Sequence, residues 1–130
     1  MEVKIGELKK EKGVLMTHPS KIKGNKYERE IVKLANMYGL DSKRCWGSDG
    51  RSMGLAQEVD LIIEDWTIQA KIRKAIAKWI LPTEEVDAQV VRENNGNSFI
   101  IMRLEDWLCE VKDKKELTET ITRLSKNNKC

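Results

Sequence analysis

Residues 57–72, Gln57-Glu58-Val59-Asp60-Leu61-Ile62-Ile63-Glu64-Asp65-Trp66-Thr67-Ile68-Gln69-Ala70-Lys71-Ile72, decide the fold. Gln57 to Glu64 carries Val59, Leu61, Ile62 and Ile63, the β-branched and apolar character of a strand. Trp66 to Ile72 predicts a second strand, with Glu64-Asp65 as the tight turn of a hairpin. Side chains alternate along a strand, so Gln69 and Lys71 point to the same side. Pairing across the hairpin brings them close to Asp60. A carboxylate, an amide oxygen and an ammonium then share one sheet face. A carboxylate can hold a divalent cation, which polarises a phosphate and lowers the pKa of its bound water. A lysine beside it orients the attacking water and stabilises developing negative charge. That is the equipment of phosphodiester hydrolysis. An Asp and a Lys on neighbouring strands also describe a plain surface ion pair, which is worth little.

Towards the N-terminus, Pro19-Ser20 marks a break after a polar arm. The chain therefore divides into an arm at 1–19 and one domain at 20–130. From Ser20 to Tyr38 the pattern is helical: Tyr27, Ile31, Leu34, Ala35 and Tyr38 form one apolar stripe. Gly39 stops the helix. Lys26, Arg29 and Lys33 lie on a neighbouring face. If the helix crosses the sheet by its stripe, Glu28 reaches the far side of the metal, and Glu30 is a solvated carboxylate. Lys43 to Trp46 predicts a short strand. Residues 47–54, with three glycines, predict a flexible loop rather than a packed element. The stretch from Ser48 to Asp60, with Arg51 inside it, is either a mobile element that closes on DNA or a tolerated surface insertion.

Towards the C-terminus, Lys71 to Ile80 interleaves basic residues with Ile72, Ile76 and Ile80, as a helical turn or a loop. Pro82 precedes a predicted helix, with Thr83 as N-cap and Glu84, Glu85 and Asp87 at its positive end. That helix stops near Asn94-Asn95-Gly96. Ser98 to Leu104 predicts a buried strand, and Glu105 to Val111 a helical turn. Leu117, Ile121 and Leu124 mark a final helix. The expected order is α-β-β-β-α-β-α, an α/β fold with helices against a mixed central sheet.

Composition narrows the chemistry. The 130 residues suit one core, and 40% are hydrophobic. Charged residues make up 35%, implying a heavily solvated surface. No apolar run approaches a membrane span, and residues 1–12 lack the apolar stretch of a signal peptide, so a cytoplasmic protein is expected. Cys45, Cys109 and Cys130 form no C-x-x-C pair, which leaves no zinc ribbon or redox motif. His18 is the one histidine, which argues against histidine-based nucleases. A metal would be held mainly by oxygen, favouring magnesium or manganese. Residues 21–80 carry 12 Lys/Arg against 8 Asp/Glu, whereas 81–112 carry 3 against 7. The basic half is the one that holds the candidate chemistry. Trp46, Trp66, Trp79 and Trp107 read as core or interface anchors rather than base-stacking platforms.

Taken in order, the motifs Lys23-Gly24-x-x-x-Glu28-Arg29-Glu30, Arg44-x-x-Gly47-Ser48, Val59-Asp60-Leu61 and Gln69-x-Lys71 resemble the signature of archaeal-type Holliday junction resolvases. These belong to the PD-(D/E)xK nuclease superfamily, and the similarity spans about residues 21–73. The resemblance implies a restriction-endonuclease-like core, a homodimer, and magnesium- or manganese-dependent cutting of branched double-stranded DNA. It also implies roles. Asp60 is the central metal ligand, and Glu28 contributes to metal binding. The Ala70 carbonyl sits where a backbone ligand is often found. Lys71 is the catalytic lysine, and Ser48 a loop serine near the scissile strand. Arg29 is the basic residue beside Glu28 that contacts phosphate; with Arg44 of the second motif, Arg51 of the loop, and Arg73 and Lys74 of the basic run after the site, it makes up the expected DNA-binding set. Gln69 departs from the family, which has a glutamate there. The amide oxygen still coordinates magnesium but removes a negative charge, and Glu58, at i−2 from Asp60, offers a rescue. Alternatives are a nuclease acting on nicked, flapped or ordinary duplex, and a catalytically impaired DNA-binding module.

Overall fold

A computed structural model describes residues 18–127. The proposed arm at 1–19 falls almost wholly outside them, as does Cys130. The elements run α1 (Pro19–Met37), β1 (Ser42–Arg44), β2 (Leu61–Ile63), β3 (Trp66–Ile68), β4 (Ala88–Val91), β5 (Phe99–Met102) and α2 (Leu104–Asn127). Short 3₁₀ turns occur at Trp46–Ser48, Gly50–Met53 and Lys78–Ile80. The chain forms two compact units: residues 18–34 with Asp41–Ile72, and Ala35–Leu40 with residues 73–127.

In the first unit, β1, β2 and β3 form an antiparallel sheet in that order. Leu61 faces Arg44 on one side and Ile68 on the other, and Ile63 faces Ser42 and Trp66. Leu61 and Ile63 are wholly buried and Ile62 is not, the alternation expected of a strand with one face on the core. Ile31 of α1, Cys45 and Val59 complete this core. The hairpin turns at Glu64, whose φ is +53°. Asp41 and Glu64 latch that turn: Glu64 N–H donates to the Asp41 carbonyl at 2.7 Å, and Asp41 N–H donates to the Glu64 carboxylate.

The glycine-rich stretch is more ordered than the sequence implies. Asp49 accepts from Arg51 N–H at 2.9 Å and so caps the turn Gly50–Met53. Gly50 is buried, and a Cβ there would run into the Ala56 carbonyl and come within 2.8 Å of the Val59 Cβ. Gly50→Ala is therefore expected to cost about 2–3 kcal/mol, because both obstacles are close to the backbone. Urea unfolding measures this; a loss below about 0.5 kcal/mol would mean that the loop yields freely.

In the second unit, α1 ends as expected. Gly39 sits at φ +79°, and Leu40 N–H bonds back to the Ala35 carbonyl at 3.1 Å. Ala35, Leu40 and Leu108 are buried. Strands β4 and β5 pair antiparallel, Val90 facing Ile100 and Val91 facing Phe99.

Several expectations fail here. The mixed central sheet of a restriction-endonuclease-like core is absent: the described residues hold two helices and two separate antiparallel sheets, of three and two strands. The predicted helix after Pro82 would have supplied a crossover, and a parallel neighbour needs one. Instead, Thr83 to Val86 is a turn (Val86 N–H to Thr83 carbonyl, 3.2 Å), held by Arg103 donating to both carbonyls. The chain then enters β4, and Asn95 at φ +61° helps reverse it into β5. A hairpin replaces the crossover. The strand at Phe99–Met102 exists but is not buried, Phe99 and Ile100 each being about two-thirds exposed. The two short C-terminal helical pieces are one helix of 24 residues, with Glu105 and Asp106 in its first turn and Lys126 in its last. Its stripe Leu117, Ile121 and Leu124 is exposed, as are Trp46, Trp66 and Trp79, which therefore do not serve as core anchors. No helix among the described residues is long and apolar enough to cross a membrane.

Candidate metal centre

Glu28 is the unusual residue of α1. It lies three residues before buried Ile31, on the packed side of the helix, and only 5% of it is exposed. A buried carboxylate needs partners, and Glu28 has two. Its Oε1 accepts from Arg44 Nε at 3.1 Å and from Ser48 Oγ at 2.7 Å. Arg44 Nη2 also donates to Asn25 Oδ1 at 3.1 Å and lies 3.3 Å from Ser48 Oγ. One helical turn (Asn25 to Glu28), the end of β1 (Arg44) and the first 3₁₀ turn (Ser48, φ +54°) are thereby tied into one polar cluster. Both contacts of Glu28 fall on Oε1, which leaves Oε2 for another ligand.

Asp60 stands just before β2. Its backbone N–H donates to the Ile68 carbonyl at 2.9 Å, and its carbonyl accepts from Cys45 N–H at 2.8 Å, extending the sheet ladder by one position on both sides. Its side chain accepts from Ala70 N–H at 2.8 Å through Oδ2, leaving Oδ1. Burial pushes the Asp60 carboxyl above its ordinary pKa; the Ala70 hydrogen bond opposes this, Glu28 adds repulsion, and Arg44 and Lys71 pull it back. The buried Cys45 thiol is also raised, first by burial and then by Asp60, Asp49 and Glu28. It stays a neutral thiol rather than a thiolate ligand.

The structure thus gathers Glu28, Ser48, Asp60 and Lys71, together with Arg44 and the unforeseen Asn25. Arg44, expected on DNA, is instead committed inward to Glu28 and Asn25. Arg51 is paired with Asp49 at 2.6 Å inside its own turn, which holds the Asp49 carboxyl low. Arg29, Gln69 and Glu58 are exposed. Arg73 and Lys74 are exposed in the second unit. The Ala70 backbone enters through its N–H on Asp60. Asn25 carried a sequence signal in its spacing, one turn before Glu28 on the same helix face.

The donor set is oxygen only: two carboxylates at Glu28 and Asp60, with neutral oxygens at Gln69 and Ala70 nearby in sequence. No group of three or more His, Cys, Asp or Glu side chains arranged to hold a metal occurs among the described residues. Two carboxylates with water filling the remaining positions suit a magnesium-type ion and not a soft metal. No protein-family model matches the chain, and no curated protein or solved structure matches it at a significant level.

Proposed function

We propose that this protein is a metal-dependent, structure-selective DNA endonuclease that resembles archaeal-type Holliday junction resolvases in the order of its site residues and acts on branched duplex DNA, in a cytoplasmic setting. One observation carries the proposal: the buried helix carboxylate Glu28 lies close enough to Asp60, just before β2, to push the Asp60 carboxyl up, and Lys71 is within reach of the same carboxyl. Two carboxylates held together repel, and a divalent cation held by Glu28 and Asp60 would relieve that repulsion.

Glu28 and Asp60 would hold magnesium or manganese, with Gln69 or the Ala70 carbonyl as neutral donors. The ion supplies Lewis acidity towards a phosphate oxygen and an acidified water. Within the chain, Arg44 and Ser48 fix the orientation of Glu28, and the Ala70 N–H fixes Asp60. Lys71 orients the attacking water and meets the charge that develops on the phosphate. Symmetric cutting of a four-way junction calls for two such sites, hence a homodimer.

Cleavage of a four-way junction and of a duplex of the same sequence, with magnesium or manganese, tests the proposal. The wild type cuts the junction faster, and Lys71→Ala cuts neither. Equal rates on the two substrates remove junction selectivity; no cutting by any variant, with binding retained, leaves a DNA-binding module. Gln69→Glu adds a negative charge beside Asp60, so half-maximal cleavage is expected at a roughly tenfold lower metal concentration. An unchanged metal dependence would exclude Gln69 from the coordination sphere.

A further inference from the structure

We propose that the cleft over the β4–β5 hairpin is a slot for one unstacked nucleobase, with Trp79 and Phe99 as its stacking faces. The proposal rests on the reading of this chain as a protein that acts on branched DNA, and it adds a second site in the second unit. Opposed residues of an antiparallel pair share a face, so Gln89 and Ile101 lie on the same side of the hairpin as Val91 and Phe99. Gln89 Nε2 donates to the Trp79 carbonyl, which sets the turn Lys78–Ile80 over that side. Trp79, Val91, Phe99, Arg92, Glu93 and Asn97 then line a cleft of about 330 Å³.

Trp79 is 70% exposed and Phe99 64% exposed, although the backbone beneath each is held by hydrogen bonds. Two large ring surfaces bordering one cleft on a fixed backbone suit a flat aromatic ligand. The charges indicate which one. Arg92 lines the cleft and Lys78 precedes Trp79 in the chain, so a phosphate flanking a bound base meets a cation at Arg92. Glu93 is the one anion of the lining and repels phosphate, which favours a nucleic-acid backbone path past Arg92. Stacking on aromatic side chains tolerates any base, because every base has a π face. An unpaired base is what a flapped duplex offers and an intact duplex does not. The slot therefore supplies structure selectivity without reading sequence.

The test uses the full chain in calcium, with a flapped duplex carrying 2-aminopurine at its unpaired position and a fully paired control. Wild type is expected to bind the flap more tightly than the control and to quench the 2-aminopurine. Trp79→Ala and Phe99→Ala each lose the quenching and weaken flap binding by about 5- to 100-fold. Trp79→Phe keeps a ring and restores most of both, which separates stacking from a folding defect. Cleavage of the same flap by the wild type and Lys71→Ala is measured apart, in magnesium, so a failure of the metal centre shows there as equal cleavage while binding and quenching in calcium stand on their own. Equal quenching by the alanine variants and wild type, or no preference of wild type for the flap, would overturn the slot.

Discussion

Asp60→Asn is expected to lower DNA cleavage by at least about 10³-fold while making the protein more stable, not less. The amide retains an oxygen to accept from Ala70 N–H, so the packing and the ladder around position 60 persist. What disappears is a half-buried negative charge that the fold disfavours. The sign follows from linkage. The folded pKa of Asp60 lies above its unfolded value, so the contribution of Asp60 to stability is fully present below the unfolded value and is lost as pH rises through the folded one. At neutral pH the wild type carries that loss and the asparagine variant does not. A higher melting temperature is therefore expected for the variant at neutral pH. The gain should vanish in acid, where wild-type Asp60 is itself protonated. Thermal melts of both proteins across pH measure it. A variant that is less stable at neutral pH would show that Asp60 serves the fold rather than a cation.

Arg44→Ala is expected to give the opposite outcome, a large loss of stability. Glu28 is almost fully buried, and Arg44 is its only cationic partner among the ion pairs of the described residues. Removing one member of such a pair strands the other, at a cost of about 3–5 kcal/mol when both are buried. Arg44 keeps about a quarter of its side-chain surface exposed, so about 2–4 kcal/mol is expected here. Arg44→Lys should recover only part of this, because one ammonium cannot reproduce the planar fork that spans Glu28 and Asn25. Adding Glu28→Gln to Arg44→Ala should restore most of the stability, since the stranded charge is gone. Denaturant unfolding of the three variants measures these values. A loss under about 0.5 kcal/mol for Arg44→Ala would place the pair with ordinary surface ion pairs.

The central hairpin was legible because two signals coincided: a run of β-branched and apolar residues on each side, and a two-residue polar turn at Glu64-Asp65. Gly39 was legible as a helix stop because only a residue tolerant of left-handed φ fits there. Residues 82–97 were not. Thr83 followed by three acids has the composition of a helix start, and Val86 and Val90 are spaced as they would be on one helix face. The same residues satisfy a turn followed by a strand, and contacts remote in sequence, such as Arg103 on the Thr83 and Val86 carbonyls, decide between them. Asn94-Asn95-Gly96 was seen, but as a helix terminus rather than the reversal of a hairpin. That one ambiguity turned an expected crossover, and with it a mixed sheet, into two separate antiparallel sheets.

At the candidate site, residue types pointed to the chemistry proposed above but not to the partners. Glu28, Asp60 and Lys71 were identifiable as candidates from charge and strand register. Arg44 was expected to face DNA, because an arginine in a basic segment looks the same whether it turns outward to phosphate or inward to a carboxylate. Only the approach of α1 to the end of β1 distinguishes the two. Asn25 lacked any chemical signal beyond its spacing from Glu28.

The proposed cation site can be tested without any DNA. Titration of manganese into the protein, followed by electron paramagnetic resonance of the free ion, should give one bound ion per chain for the wild type. Glu28→Gln and Asp60→Asn should each reduce that binding sharply, while Lys71→Ala leaves it in place. Equal manganese binding by the wild type and both carboxylate variants would contradict a metal held between helix and sheet.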